Sequence, residues 1–173
     1  ALDTEATLAE ARRLHKMVSR DNLMVKVPAT PEGIPAIRQL TAEGISINVT
    51  LLFSQGEYEK VARAFVEGLE ERAKAGHDVS RIASVASFFI SRIDSLVDRH
   101  LDATGRFDDL KGKVALANAR PAYHSYNRTF SGSPWEAAGA TGAKATRLLR
   151  ASTGPPNQTH PAPPYGSAPT APN

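Results

Sequence analysis

Alternating apolar residues mark four short strands along the chain. A period of two residues sends successive side chains to opposite faces of a strand, so one face can be buried while the other stays polar. The four predicted strands are Met24–Ala29, Ile45–Leu52, Ser84–Ile90 and Leu148–Ser152.

Between the first strands the apolar spacing changes to that of amphipathic helices. Thr30 as N-cap and Pro31 at the first helical position predict a helix that ends at Gly44. Ser54 and Glu57 have the spacing of a capping box, which opens a second helix. The apolar stripes of these two helices are Ile34, Ile37 and Leu40, and then Val61, Phe65 and Leu69.

Helical spacing also appears near both ends of the pattern. A helix is predicted to open at Asp3 and to run to Val18, ahead of the first strand. Another is predicted from Val114 to Phe130, where Pro121 is expected to kink or split it. The segment 107–112 is interpreted as a loop.

The alternation of strands and helices with short turns predicts a parallel sheet of the α/β class. In the second strand Ser46, Asn48 and Thr50 share one face, while the other face is apolar. Strands covered by helices on both sides are usually apolar on both faces. The polar face therefore indicates a binding or catalytic site that is lined by these side chains.

Lys26 is the most informative residue of the first strand. Alternation puts it on the same face as Met24 and Pro28, opposite Val25 and Val27. A lysine on the interior face of a buried strand must be paired, deprotonated or used covalently, and a desolvated amine suits Schiff-base chemistry. The alternative interpretation is a lysine on an edge strand that points to water.

Composition narrows the possible classes of protein. With 173 residues, 41% of them hydrophobic, one compact domain is expected. We find no apolar run of membrane-spanning length and no signal peptide, and we expect a cytoplasmic protein. The absence of cysteine excludes disulfides, and the five histidines lack ligand spacing, so no metal is expected. The net charge of +3 is modest and its bases alternate with acids, which argues against nucleic-acid binding.

Five stretches together resemble the transaldolase family, in its order and at its spacing. The resemblance implies a (β/α)8 TIM barrel, of which this chain would supply about four parallel strands with their helices. It also implies a transferase that uses a lysine Schiff base and needs no metal or cofactor. The five stretches are Asp3–Thr7, Val25–Thr30, Ile47–Ser54, Ser87–Ile93 and Ala151–Gly154.

The resemblance assigns a role to each matching residue. Lys26 falls on the Schiff-base lysine, and Thr50 on the residue that helps to position the catalytic water. Asn48 and Ser87 match contacts to substrate hydroxyls. Arg92 matches a phosphate-binding arginine, and Ser152 matches a serine near the phosphate end. β-propensity would also explain Asn48 and Thr50, and a surface ion pair would explain Arg92.

The implied reaction transfers a dihydroxyacetone unit between sugar phosphates in the pentose phosphate pathway. Sedoheptulose 7-phosphate and glyceraldehyde 3-phosphate would give erythrose 4-phosphate and fructose 6-phosphate. Two alternatives stay open. One is a catalytically impaired barrel fragment that only binds sugar phosphates, and the other is a related Schiff-base aldolase. The sequence does not indicate an oligomeric state.

Both ends depart from the family pattern. The family's earlier strands carry an acid–base aspartate, an asparagine and a glutamate that have no counterpart here, so we expect this chain alone to be a poor enzyme with open sheet edges. At the other end, residues 155–173 hold seven of the twelve prolines and no charged or branched aliphatic residue. We therefore predict a partial barrel domain over 1–154 and a disordered Pro-rich tail over 155–173.

Overall fold

Four parallel strands form one sheet in the computed structural model, which describes residues 1–153 apart from the side chain of Pro134. The strands are β1 (Val25–Pro28), β2 (Ile47–Leu52), β3 (Ser84–Phe89) and β4 (Arg147–Ala151). They lie in the order of the chain, each paired in parallel with the next. All four predicted strands are therefore confirmed, and the sequential order is that of an arc of a (β/α)8 barrel.

Helices connect the strands. Three of them match the predicted pattern around β1 and β2, while α4 and α6 had no counterpart in the predictions. The helices are α1 (Thr4–Val18), α2 (Gly33–Glu43), α3 (Gln55–Lys74), α4 (Ser91–Thr104), α5 (Val114–Thr129) and α6 (Ser133–Ala140).

Two predictions in the second half of the chain need correction, a split at Pro121 and a loop at 107–112, while a kink at Pro121 stays a prediction. Pro121 does not split α5, which is a single helix from Val114 to Thr129. The tertiary contacts of a helix can outweigh the backbone hydrogen bond that a proline removes, and Ala115 and Ala122 of α5 belong to the buried core. The predicted loop at 107–112 contains a short 3₁₀ helix, Asp108–Leu110.

Most of the helix ends that were predicted from capping residues are confirmed. Asp3 accepts a 2.7 Å hydrogen bond from the Ala6 N–H at the start of α1. Both hydrogen bonds of the Ser54–Glu57 capping box are present. Helix α2, however, begins at Gly33, so Pro31 lies in the preceding turn and not at the first helical position.

Among the described residues, the helices pack against one face of the sheet. Val27, Val49 and Ala86 are paired in register across three strands, and each is fully buried in a core shared with Ile37 and Phe65. The residues between them on each strand point to the other side of the sheet. That second face carries the polar side chains of the predicted site.

The described sheet has β1 and β4 as its edges, as the sequence led us to expect. Within residues 1–153, no helix has both the length and the apolar character needed to span a membrane. The predicted Pro-rich tail, 155–173, lies outside the described residues, so its predicted disorder and the boundary at 154 stay predictions.

Candidate active site

Lys26 lies in the middle of the edge strand β1 and is exposed. Its neighbours Val25 and Val27 are buried on the helix side, so the lysine side chain emerges from the opposite face. The sequence left open a buried lysine and an edge-strand lysine that meets water, and within the described residues the second geometry is the observed one. Lys26 is paired in register with Asn48 of β2.

Asn48 and Ser87 form a hydrogen-bonded pair beside the lysine. The Ser87 hydroxyl donates to Asn48 Oδ1 at 2.8 Å, across β2 and β3. Ser87 is buried, whereas Asn48 is only half-buried. Because Ser87 occupies the carbonyl oxygen, the amide NH₂ group of Asn48 is oriented as a donor.

Thr50 lies near the carboxyl end of β2 and is buried, with 4% of its surface exposed. It is paired with Pro28 in register, and its carbonyl accepts a 2.8 Å hydrogen bond from the Ala29 N–H. The next residue, Leu51, has a φ of 60°, and the pairing with β3 shifts between Val49 and Leu52. Such an irregularity re-aims side chains at the end of a strand.

The turn after β1 is held by contacts that the sequence did not reveal. The Thr30 hydroxyl donates to the Ala1 carbonyl at 2.7 Å, and the Thr4 hydroxyl donates to the Glu32 carbonyl at 2.8 Å. A Cβ atom on Gly33 would lie 1.9 Å from the Pro28 carbonyl oxygen. The start of α1 and the closely packed glycine therefore fix the carboxyl end of the strand that carries Lys26.

Arg92 lies in the first turn of α4, just beyond the carboxyl end of β3, and is exposed. Its guanidinium carbon is 4.9 Å from the ring centroid of Phe89. The Phe89 ring stacks in turn on Phe53, with centroids 5.3 Å apart. The guanidinium of Arg92 thus packs on the Phe89 ring, which in turn stacks on Phe53. Its forked donors remain suited to an anionic oxygen.

Ser152 follows β4 directly and is exposed, with a φ of 57°. Its hydroxyl lies 3.0 Å from the hydroxyl of Ser91, the first residue of α4. The carboxyl ends of β3 and β4 therefore bring Ser152 close to the start of the helix that carries Arg92.

The six candidate residues form two groups on the sheet. Lys26, Asn48 and Ser87 come from three successive strands, with Thr50 further along β2. Arg92 and Ser152 lie at the carboxyl ends of β3 and β4. Within residues 1–153, no three histidine, aspartate or glutamate side chains come together as a metal site would require.

Sequence reasoning missed the residues that support this site. Gly33, Phe53 and Ser91 carried no functional prediction, although Phe53 and Ser91 fall within the stretches that carried the resemblance. The three make their contacts through the fold, so the hydrophobic pattern gives no direct signal for them.

The sequence of this chain is similar to those of known proteins. Residues 1–168 match the transaldolase/fructose-6-phosphate aldolase family. The chain belongs to that family. The match extends beyond the predicted domain boundary at 154.

Several curated relatives are named transaldolase. One from Acidothermus cellulolyticus is 54% identical over 154 residues, which cover 88% of this chain and 41% of the relative. One from Thermobifida fusca is 54% identical over 156 residues, covering 89% and 42%. One from Trichodesmium erythraeum is 47% identical over 170 residues, covering 92% and 45%. The chain spans less than half the length of these relatives.

Proposed function

We propose that this chain carries the Schiff-base lysine and part of the substrate site of a transaldolase. The observation that supports this most directly is that Lys26 is paired in register with Asn48, which Ser87 holds by a hydrogen bond, on the face of the sheet opposite the helix-packed core. Family membership and relatives named transaldolase support the same activity.

In the proposed reaction the neutral amine of Lys26 attacks the ketone carbon of a ketose phosphate. Loss of water gives an iminium, which withdraws electrons from the adjacent carbon–carbon bond. That bond breaks, the hydroxyl of the departing fragment loses its proton, and an aldose phosphate leaves. The dihydroxyacetone unit stays on Lys26 as an enamine, whose carbon attacks the aldehyde of a second aldose phosphate. The new carbon–carbon bond regenerates an iminium, the aldehyde oxygen takes up a proton, and hydrolysis of the iminium releases the new ketose phosphate from Lys26.

The other residues would bind and orient the substrate. The Asn48 amide, held by Ser87, would donate to hydroxyls of the three-carbon unit, and Ser87 would contact a substrate hydroxyl. Thr50 would help to position the water that hydrolyses the iminium. Arg92 and Ser152 would bind the phosphate at the other end of the sugar, since a charged fork and a hydroxyl are both good donors to phosphate oxygens.

The proposed substrates are those of the pentose phosphate pathway. Sedoheptulose 7-phosphate and glyceraldehyde 3-phosphate would exchange with erythrose 4-phosphate and fructose 6-phosphate. We propose that the reaction takes place in the cytoplasm.

A related Schiff-base aldolase is the second candidate, because the family also includes fructose-6-phosphate aldolases. An aldolase releases free dihydroxyacetone, whereas a transaldolase passes the unit to an aldose phosphate. Turnover of fructose 6-phosphate measured with and without erythrose 4-phosphate separates the two, since only the transferase depends on the acceptor. A fragment that merely binds sugar phosphates would turn over under neither condition.

Reductive trapping tests the role of Lys26. Fructose 6-phosphate with borohydride should attach a reduced dihydroxyacetone unit to the peptide that contains Lys26, as read by mass spectrometry. Lys26→Ala should abolish the adduct, while Lys60→Ala, at an exposed site on α3, should leave it intact. An adduct on Lys16, Lys60 or Lys144 in place of Lys26 would refute the assignment.

A further inference from the structure

A pair of hydroxyl groups joins the ends of β3 and β4 beside Arg92. Ser91 Oγ and Ser152 Oγ are 3.0 Å apart. Ser91 is buried, with 8% of its surface exposed, whereas Ser152 is exposed. One hydroxyl of the pair is therefore enclosed by the protein and the other meets solvent.

The backbone holds Ser152 in the same place. The Ser91 N–H donates to the Ser152 carbonyl at 2.9 Å, and the Ile90 N–H donates to the Ala151 carbonyl at 3.0 Å. Ser152 has a φ of 57°, in the left-handed region that is unfavourable for a residue with a side chain. Strain of this kind persists where the surroundings fix the conformation, and it is concentrated at functional sites.

The chemistry of a phosphate ester sets the direction of the hydrogen bond between the two serines. A phosphate dianion accepts hydrogen bonds and has no hydrogen to donate, so Ser152 must donate to it. The Ser152 oxygen then remains free to accept, and the Ser91 hydroxyl is the donor beside it. A chain of two hydroxyls polarised in this direction makes Ser152 a better donor than it would be alone.

We propose that Ser91 is a positioning residue for the phosphate end of the substrate site, acting by donating a hydrogen bond to Ser152. The inference rests on the proposed function for the identity of the phosphorylated substrate. Ser91 is buried and would act through Ser152, without contacting the phosphate itself.

The same two chain segments provide a matched control. At the other end of β3, the Thr146 hydroxyl donates to Ser84 Oγ at 2.7 Å, and both residues are buried. Thr146 immediately precedes β4, so this pair also joins β3 to β4, away from Arg92. Ser84→Ala thus removes a similar hydrogen bond between the same segments without touching the proposed site.

The test compares a phosphorylated donor with an unphosphorylated one in the full chain. Borohydride trapping on Lys26 is measured against the concentration of fructose 6-phosphate and, separately, of dihydroxyacetone. Ser91→Ala should raise the half-saturating fructose 6-phosphate concentration about three- to tenfold, the range expected for one hydrogen bond, and leave that for dihydroxyacetone unchanged. Ser91→Thr, which keeps the hydroxyl, should restore the original value, and Ser84→Ala should change neither.

A double-mutant cycle distinguishes an action through Ser152 from an independent one. In the Ser152→Ala background, Ser91→Ala should have no further effect on the phosphorylated donor. Thermal unfolding with inorganic phosphate gives a second readout that needs no chemistry at Lys26. Phosphate should raise the melting temperature of the unmodified chain more than that of Ser91→Ala.

Additive effects in the cycle, or equal losses with both donors, would overturn the inference and leave the proposed function standing. Identical phosphate stabilisation of the unmodified chain and Ser91→Ala would overturn it too. Absence of any Lys26 adduct from the unmodified chain would refute the proposed function, while the phosphate arm would still decide the role of Ser91.

Discussion

Gly33→Ala should destabilise the protein, because Gly33 packs directly against the end of β1. The added Cβ would lie 1.9 Å from the Pro28 carbonyl oxygen and 3.2 Å from the carbonyl carbon. Ordinary carbon–oxygen contacts are longer by about 1 Å or more, so the strand end or the start of α2 must move. Overpacking of this kind typically costs about 1–3 kcal/mol.

The gain in helix propensity offsets only part of this cost. Replacing glycine by alanine inside a helix contributes about 0.5–1 kcal/mol, and Gly33 lies at the first position of α2, where the gain is small. We expect a net loss of about 2 kcal/mol. For a chain of this length that lowers the melting temperature by roughly 4–8 °C.

Gly56→Ala is the matched control for this prediction. Gly56 is the second residue of α3, and a Cβ there would meet nothing within 4 Å. This variant should melt at the same temperature as the unmodified chain or slightly above it. Thermal unfolding followed by circular dichroism measures the melting temperature of both variants. Equal melting temperatures for Gly33→Ala and Gly56→Ala would refute the close approach between α2 and β1.

Two further predictions concern α3. Tyr58→Phe should leave stability unchanged or raise it by up to about 1 kcal/mol in urea unfolding, because the Tyr58 hydroxyl is buried and has no hydrogen-bond partner within residues 1–153. Burial also raises the pKa of this phenol well above its usual range; a loss above 1 kcal/mol would reveal a bonded hydroxyl. Hydrogen bonds, chiefly from Ser125 and then Gln55, lower the pKa of Glu59, so its contribution is complete above the ordinary glutamate pKa of about 4.3 and is lost as the pH falls through the lowered value. Glu59→Gln should therefore melt at a lower temperature than the unmodified chain at pH 7, and the difference should shrink as the pH falls below about 4.3, whereas a difference that is constant with pH would contradict this.

The local periodicity of the sequence predicted most of the strands and helices. The alternating residues of β2 and the capping box at Ser54 each involve neighbours within a few positions, so the sequence displays them directly. Two features show where local signals fail. The sequence did not predict α4 or α6, and α5 continues through Pro121. Packing against a sheet can stabilise a segment whose own sequence pattern is weak.

The candidate site divides in the same way. The sequence singled out Lys26 and Asn48 through strand alternation and through the resemblance. It did not decide whether Lys26 would be buried or exposed, because that depends on which strands flank it in the sheet.

The sequence by itself determined the strands, several helix ends and the family of this protein, since those are encoded in residue types at short spacings. Only the tertiary structure decided that the Ser91 and Ser152 hydroxyls meet, and that Gly33 closes on Pro28. Ser91 and Ser152 are 61 positions apart in the chain. Their contact follows from the register of β3 against β4, and register is fixed by the burial of whole faces and not by any single residue.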